Sequence, residues 1–491
     1  MSVIFAVGMI AAIQPSKLAH QHGYETMIFS SNIFLFLFLP TFLAVYYATP
    51  ERHRSWPILL GSYCFYAWWR VDFLALFAVV TLFNYILGKK IYQSKETRET
   101  AKRWLQLGLL GNLSTLAYFK YANFGAATVN TALQQLGTDP WLVTHVILPI
   151  GISFYIFQAI SYLVDVYRGD TPPTRSFIQF AAFIALFPQL IAGPVLRYKD
   201  VAEQFEKREH SVKNFAAGCD RFMIGFIKKV VIADTIAPIV NAGFSLSEPS
   251  MADAWLATMA YTAQLYFDFS GYADMAIGLG LMLGFRFVEN FNQPYISQSI
   301  TEFWRRWHIS LSNWLRDYLY LPLGGNRHGV IKTYRNLLLT MVLGGLWHGA
   351  NWTFLVWGIY HGLILAIERL LGVKVDLKSF SITRWLFTLL LVTIGWVVFR
   401  ADNLSSALAV YSGLVNVSDI ALSSTMQAVA GNLQLTMLIV AWVVIVVRGL
   451  KDRIDLSYLI PTSKVALAPV FALAILKLSA QSHSPFLYFQ F

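Results

Sequence analysis

The chain has 491 residues, of which 56% are hydrophobic, 15% aromatic and only 13% charged, and its formal net charge is +11. Soluble domains usually carry about 25% charged residues, so this composition excludes an ordinary soluble enzyme and predicts a membrane protein. The basic excess does not indicate a nucleic-acid partner, because Lys and Arg concentrate in loops between apolar stretches, as the positive-inside rule requires.

The first 26 residues differ from the rest of the chain. Residues 2–13 are apolar but too short to span a bilayer, and no basic leader of a signal peptide precedes them. We therefore expect the working protein to begin at Met27, with 1–26 as an N-terminal extension from a mis-assigned start. Residues 27–491 are expected to form a single membrane domain, because no polar stretch is long enough for a separate soluble one.

Apolar segments recur along the whole remaining chain. A hydrocarbon core about 30 Å thick needs roughly 20 apolar residues per spanning helix. Because several segments are short or interrupted, we predict an all-α polytopic protein with about 11–13 membrane helices. The segments are 28–49, 72–88, 104–121, 142–164, 221–243, 255–285, 335–347, 353–371, 383–399, 432–447 and 465–478.

Basic segments set the expected orientation. Residues 89–103 and 197–213 are rich in Lys and Arg and should lie in the cytoplasm. Residues 57–69 would then form an outward leg that turns at 70–72, which places 51–54 inside. Cys64 and Cys219 lie in or beside apolar runs and indicate neither a metal site nor a disulfide.

Ionisable side chains inside a membrane region mark functional sites by default, with structural pairing as the competing explanation. Asp268 and Asp274 lie in the segment 263–285, and on an unbroken helix they would point to opposite sides. We expect them to be buried hydrogen-bond partners rather than a catalytic pair. The accompanying glycines fit close helix packing better than ligand contact; they are Gly271, Gly278, Gly280 and Gly284.

Residues 301–329 have the pattern of an amphipathic interfacial helix, with an aromatic stripe and cationic residues suited to headgroup level. Arg305 and Arg306 could attract an anionic donor, although headgroup anchoring is the commoner role. His308 falls on the apolar side of this helix. By residue chemistry alone, a structural and a functional histidine are equally good interpretations.

A second intramembrane histidine, His348, lies within GGLWHGANW (344–352). Glycines around it can bring backbone or substrate close, Trp347 and Trp352 can wall a narrow space, and Asn351 stands where the helix should break. A neutral imidazole is the proton carrier most easily buried near neutral pH. On these residues alone, a packed helix kink with a hydrogen-bonded histidine is the stronger interpretation.

Two long motifs carry a resemblance to a known family: FWRRWHISLSNWLRDYLYLPLGG (303–325) and GGLWHGANWTFLVWGIYHG (344–362). They resemble the signature region of the membrane-bound O-acyltransferases. Other matching stretches are MIFSSNIFLFLFLPTFLAVYY (27–47), YCFYAWWRVDFLALF (63–77), LPIGISFYIFQAISYLVDVYRG (148–169), FPQLIAGPVLRY (187–198) and YFDFSGYADMAIGLGLMLGF (266–285). The chain is most similar to the bacterial branch, especially to members that acetylate alginate.

The resemblance implies a ring of membrane helices around a thinned centre, with a tunnel lined by two histidines. These fall on His348 and His308, which become the expected catalytic residues. Residues expected with less support to bind substrate are Trp347, Asn351, Arg305, Arg306 and Asp268. The implied donor is acetyl-CoA with no bound cofactor, and the implied partners are membrane lipid and periplasmic proteins of the AlgJ, AlgX and AlgF type at a bacterial inner membrane.

The residues are compatible with metal-free acyl transfer by a histidine base. No GxSxG, HExxH or CxxC motif occurs, so neither a serine-hydrolase arrangement nor a metal site has support. Two alternatives remain open. One is the same chemistry on another acceptor, D-alanyl transfer to teichoic acid or acetyl transfer to peptidoglycan; the other is a solute transporter, which predicts internal repeats that the sequence does not display.

Overall fold

The computed structural model describes residues 27–141, 144–191, 193–373, 380–451 and 467–480. Within these ranges the chain is built of helices without a β-strand, which confirms the predicted all-α membrane fold. The predicted extension 1–26 lies outside the described residues, so the prediction about the start site remains a prediction.

Among the described residues, the first third of the chain forms five α-helices, of which α3 and α4 pack against α5. A turn at Arg70 and Val71 separates α2 from α3, as predicted, and a left-handed Gly151 begins α5. The helices are α1 (Leu39–Ala48, continuing a π-helical turn Phe34–Phe38), the 3-10 turn Glu51–His53, α2 (Ser55–Trp69), α3 (Asp72–Gln93), α4 (Arg98–Gln135) and α5 (Ile152–Arg168).

The middle third surrounds one long buried helix, α11, which begins at a capping box formed by Ser250 and Asp253. The helices are α6 (Phe177–Ala185), α7 (Phe187–Leu190), α8 (Tyr198–Glu206), α9 (Val212–Ile227), the π-helical Lys228–Ala233, α10 (Asp234–Ser245), α11 (Met251–Met282) and the 3-10 turn Pro294–Ile296.

Within the described ranges, the last third contains two short helices, an antiparallel pair and five further helices, of which α16, α17 and α19 contact α11. They are α12 (Ile300–Arg306), α13 (Ile309–Leu315), the π-helical Arg316–Tyr320, α14 (Val330–His348), α15 (Trp352–Leu370), α16 (Ile382–Arg400), α17 (Leu404–Leu414), α18 (Ser424–Val429), α19 (Asn432–Lys451) and α20 (Leu467–Ala480).

Four of the described helices are long and apolar enough to cross a membrane: α3, α15, α16 and residues 432–450 of α19. Three shorter apolar helices accompany them: residues 34–48, α17 and α20. The other predicted segments are present as helices that carry buried polar side chains, such as Asn112 in α4 and Asp268 in α11. The protein is therefore a multi-pass helical membrane protein. The predicted number of membrane spans, 11–13, remains a prediction.

Three predicted segments differ from the structure. The segment 142–164 becomes helical only at Ile152, after the left-handed Gly151. The segment 221–243 is helical throughout, but a π-helical stretch at 228–233 interrupts its α-helical structure. The predicted amphipathic helix across 301–329 is wrong as a continuous element, because it breaks at Trp307 and His308 and its aromatic stripe is largely buried.

The predicted close packing by glycines is confirmed between α9 and α11. A Cβ atom on Gly218 would lie 2.6 Å from the carbonyl oxygen of Gly278, and one on Gly271 would lie 2.7 Å from the carbonyl oxygen of Gly225. These two antiparallel glycine pairs bring the backbones into contact. Gly284 instead takes a left-handed turn with φ of +80°, just after α11 ends.

Close packing lets α11 present its carboxylates to the facing helix. The Nζ atom of Lys229 lies 2.7 Å from Asp268, and the Nζ atom of Lys228 lies 2.6 Å from Asp274. The expectation that the aspartates are structural partners is confirmed. Although their spacing predicted opposite sides, both reach cations of one neighbouring helical segment, because the lysine side chains are long and adjacent.

Candidate active site

His348 is the last residue of α14, and its side chain is only 6% exposed. The helix ends there because Gly349 takes an extended conformation, and Asn351 caps the start of α15 by accepting a hydrogen bond from the amide of Thr353. The predicted helix break is therefore confirmed. The imidazole packs against three aromatic rings, with centroid distances of 5.1 Å to Trp347, 5.3 Å to Trp357 and 5.2 Å to Phe399.

The C-terminal end of α14 is held by α4. The ammonium of Lys120 donates to the carbonyl oxygen of Trp347 and, at 3.3 Å, to that of His348. The hydroxyl of Tyr121 donates to the carbonyl oxygen of Leu346 at 2.7 Å. The last carbonyls of a helix have no partner within the helix, so these contacts satisfy and fix the backbone that carries His348.

Of the two roles expected for the glycines beside His348, close approach of backbone or of substrate, the structure shows mostly close packing against protein. A Cβ atom on Gly345 would overlap the backbone of α15, and one on Gly349 would overlap the ring of Phe354. Only Gly344 shares a cavity with His348. Trp347 is buried, but Trp352 is 47% exposed, so only the first of the two tryptophans walls the site.

His308 lies at the break between α12 and α13 and is completely buried. Its backbone is left-handed, with φ of 44° and ψ of 52°, a conformation that costs a non-glycine residue roughly 1–2 kcal/mol. The break turns the imidazole toward α14, and its ring centroid lies 6.4 Å from that of His348. The structure thus brings together the two histidines that the sequence placed forty residues apart.

Asn290 supports the break at His308. Its carbonyl oxygen accepts from the amide of Ile309 at 3.0 Å, and its Oδ1 lies 3.1 Å from Nδ1 of His308. The same Oδ1 accepts from the amide of Ser310 at 3.2 Å and from its hydroxyl at 2.8 Å. The Ser310 hydroxyl in turn accepts from the amide of Val195 at 2.9 Å. The left-handed backbone is therefore compensated by a buried network.

A narrow apolar cavity of about 220 Å³ begins at His348 and reaches the exposed Arg316. A second cavity of about 380 Å³ adjoins it, shares Trp304, Ser312, Arg316 and Leu365 with it, and extends to Arg305. Pockets that hold a whole drug-sized ligand are usually about 300–1,000 Å³, so the inner cavity fits only a slender part of a substrate.

The outer end of these cavities lies at a face that we call the basic face, formed by Lys95, Arg98, Arg168, Arg197 and Arg316. Arg168 donates to the backbone carbonyl oxygen of Asp317, and Arg197 lies 2.6 Å from its carboxylate. Burial would raise the pKa of Asp317, but its hydrogen bond and charge interaction with Arg316 lower it below the usual value.

The predicted cytoplasmic segments share this face. Residues 89–103 and the end of α5 line one cavity there, through Lys95, Arg98 and Arg168. The segment 197–213 is linked to 51–54, because His210 lies 3.8 Å from Glu51. Their common placement agrees with the predicted topology, while the side of the membrane remains a prediction.

The other predicted binding residues are dispersed. Arg305 is exposed and lines the outer cavity, whereas Arg306 pairs with Glu302 at 2.9 Å. Asn351 caps α15 and donates to the carbonyl oxygen of Asp402, and Asp268 is paired with Lys229. Arg305 alone among these four lines the outer cavity, and the binding roles of all four remain predictions.

Sequence reasoning missed three residues that the structure places at the site: Lys120, Asn290 and His361. His361 is fully buried among aromatic rings, 4.9 Å from the ring of Trp357. His361 lies near the end of the second family motif, but no pattern in the sequence around it indicates a functional residue. Lys120 could have been found as a lone cation in an apolar helix, whereas nothing marks Asn290 among the polar residues of its loop.

These features define a site with two buried histidines, His308 and His348. Residues 58–407 match the model of the MBOAT, membrane-bound O-acyltransferase family, and the chain belongs to this family. It is therefore an O-acyltransferase.

The curated relatives cover nearly the whole chain. It is 56% identical to the "Probable alginate O-acetylase AlgI" of Azotobacter vinelandii and to that of Pseudomonas putida, each over 95% of this chain and 100% of the relative. It is 38% identical to the "Peptidoglycan O-acetyltransferase" of Helicobacter pylori over 81% of each chain.

Proposed function

We propose that this enzyme takes acetyl groups from a cytoplasmic donor, acetyl-CoA, and passes them across the inner membrane for O-acetylation of alginate in the periplasm, with His348 as general base. The acceptor is proposed from the alginate O-acetylases that match it over 95% of the chain. The observation that carries the mechanism is a narrow cavity that runs from His348 to Arg316, with the buried ring of His308 beside that of His348.

The proposed reaction needs one proton transfer at the imidazole. As the acceptor hydroxyl attacks the thioester carbonyl, His348 takes the hydroxyl proton, the new C–O bond forms and the C–S bond breaks. The proton then passes to the departing thiolate, which leaves as a thiol. An imidazole surrounded by Trp347, Trp357 and Phe399 performs this step without a resting charge in an apolar setting.

Donor binding is proposed at the outer cavity. Arg305 and Arg316 supply positive charge for CoA phosphates, which guanidinium groups bind with strong charge-assisted hydrogen bonds. The slender pantetheine arm would then enter the inner cavity and present its thioester to the histidines. If the basic face is cytoplasmic, as the positive-inside rule predicts, the donor enters from the cytoplasm.

The acetyl group would leave on the opposite side. The acceptor there is either the polysaccharide or a hydroxyl of a periplasmic relay protein, and proteins of the AlgJ, AlgX and AlgF type are the proposed partners. Surrounding membrane lipid completes the environment. Peptidoglycan is the second candidate acceptor, because the Helicobacter pylori relative with that printed activity covers 81% of this chain.

The direct test reconstitutes the protein in proteoliposomes with radiolabelled acetyl-CoA and offers alginate, peptidoglycan fragments or a relay protein as acceptor. Transfer to alginate, directly or through the relay protein, is the expected result. His308→Ala should lose most transfer while remaining folded, and His53→Ala, which changes an exposed histidine that lines neither cavity, is the matched control. Equal transfer by both variants would remove His308 from the site, and labelled peptidoglycan alone would replace the proposed acceptor.

A further inference from the structure

We infer that Asn290 is a positioning residue that fixes the tautomer of His308, so that His308 meets the substrate with Nε2 as a hydrogen-bond acceptor. The inference rests on the proposed function, in which both histidines line the acyl-transfer site. It assigns one tautomer to His308 and explains the role of the buried hydrogen-bond network around this residue.

The orientation of the Asn290 amide follows from a donor that cannot be reversed. The backbone amide of Ser310 can only donate, and it lies 3.2 Å from the terminal atom of Asn290 that also faces His308. That atom must therefore be the oxygen, Oδ1. The Ser310 hydroxyl agrees, because it accepts from the amide of Val195 and has its own proton left to donate to Oδ1.

The tautomer of His308 follows from the same oxygen. Oδ1 has no proton to give, so Nδ1 of His308, 3.1 Å away, forms a hydrogen bond only if it carries the proton. A neutral imidazole protonated at Nδ1 has its lone pair at Nε2. Within the described part of the chain, Nε2 of His308 is buried without a hydrogen-bond partner, and its ring lies 6.4 Å from that of His348, which lines the inner cavity. The lone pair at Nε2 is therefore not used within the protein, and we assign it to the substrate.

The surroundings of Asn290 show which atom of its side chain can be replaced without the loss of a hydrogen bond. Its side chain is 1% exposed and also borders a polar cavity of about 590 Å³ that contains Arg221, Lys228 and Glu289. Its Nδ2 makes no hydrogen bond among the described residues. Replacement of Nδ2 by oxygen therefore removes no contact, and Asn290→Asp retains an acceptor where Oδ1 stands.

The test compares Asn290→Ala and Asn290→Asp with Asn292→Ala, whose exposed side chain belongs to the same loop. Initial rates of acetyl transfer are measured in proteoliposomes with labelled acetyl-CoA, and melting temperatures are measured in detergent. Asn290→Ala should reduce transfer about 10–100-fold, the range typical for outer-shell partners of metal-bound histidines. Asn290→Asp should recover at least part of that loss, and Asn292→Ala should match the parent protein.

A double-mutant cycle separates positioning from a general loss of structure. In a His308→Ala background, the change Asn290→Ala should have no further effect on transfer, because the imidazole it orients is gone. An unchanged 10–100-fold loss in that background, or equal losses in the Ala and Asp variants, would overturn the inference. His348→Ala is the reference for the proposed function: if it remains active, the proposed function fails, whereas an inactive His348→Ala beside a fully active Asn290→Ala refutes only the role of Asn290.

Discussion

Replacement of His348 by Ala and by Gln distinguishes a general base from a packing residue. General-base catalysis typically contributes about 10²–10⁴-fold to a rate, which corresponds to about 2.7–5.4 kcal/mol of activation free energy. Both variants should lose at least this factor, because neither side chain can take the hydroxyl proton. Gln can still form hydrogen bonds. An inactive His348→Gln would therefore show that a hydrogen-bonding side chain at this position is not sufficient for transfer.

The two variants should differ in stability. The imidazole fills the space between Trp347, Trp357 and Phe399, so Ala leaves a cavity that costs roughly 2 kcal/mol or more of unfolding free energy. Gln occupies most of that volume and should unfold near the parent temperature. Acetyl transfer is measured with labelled acetyl-CoA, unfolding in detergent, and His53→Gln serves as the control. A stable His348→Gln that transfers acetyl at a near-normal rate would show that the histidine is structural.

Three further outcomes are expected. Single cysteines placed in 89–103 and 197–213, in a protein without its native cysteines, should react only with reagents supplied from the cytoplasm; labelling of both segments from outside would reverse the topology. Lys120→Met leaves helix-end carbonyls without their donor and should lower the unfolding free energy by about 1–3 kcal/mol and reduce transfer, and unchanged melting and transfer would contradict this. Gly225→Ala places a Cβ against the facing helix backbone and should cost about 1–3 kcal/mol, whereas Gly125→Ala, with nothing within 4 Å, should be harmless; equal stability would refute the packing argument.

Features with a local cause were predictable from sequence. The break after His348 follows from Gly349 and from the capping chemistry of Asn351, and both lie within three residues. The packing glycines of α11 were recognised because small residues at helical spacing have few other uses in a buried helix. The sequence also distinguished the aspartates, predicted to be structural, from the histidines, predicted to be catalytic, by the type of each side chain.

Features with a distant cause were not predictable. The pattern of 301–318 fits one continuous amphipathic helix, yet the chain breaks at His308, where Asn290 binds its side chain and accepts from the next amide. The periodicity of a sequence shows which face of a helix would be apolar. It does not show that a distant loop will form hydrogen bonds with the helix backbone and break it. The contact between Lys120 and the end of α14 joins residues 228 positions apart, so no local pattern contains it.

The ion pairs between α11 and the preceding helical segment also constrain how the protein is made. A lysine or aspartate at the centre of a single inserted helix costs about 2.5–3.5 kcal/mol by translocon insertion. Lys228 and Lys229 are synthesised before Asp268 and Asp274, with α10 and a short loop between them. Lys229 has a carboxylate partner, Asp234, in its own segment, 2.6 Å away. Lys228 instead gains its partner, Asp274, only when α11 has been translated and packed against it, so the insertion of the lysine-bearing segment is favoured when it enters the membrane together with α11.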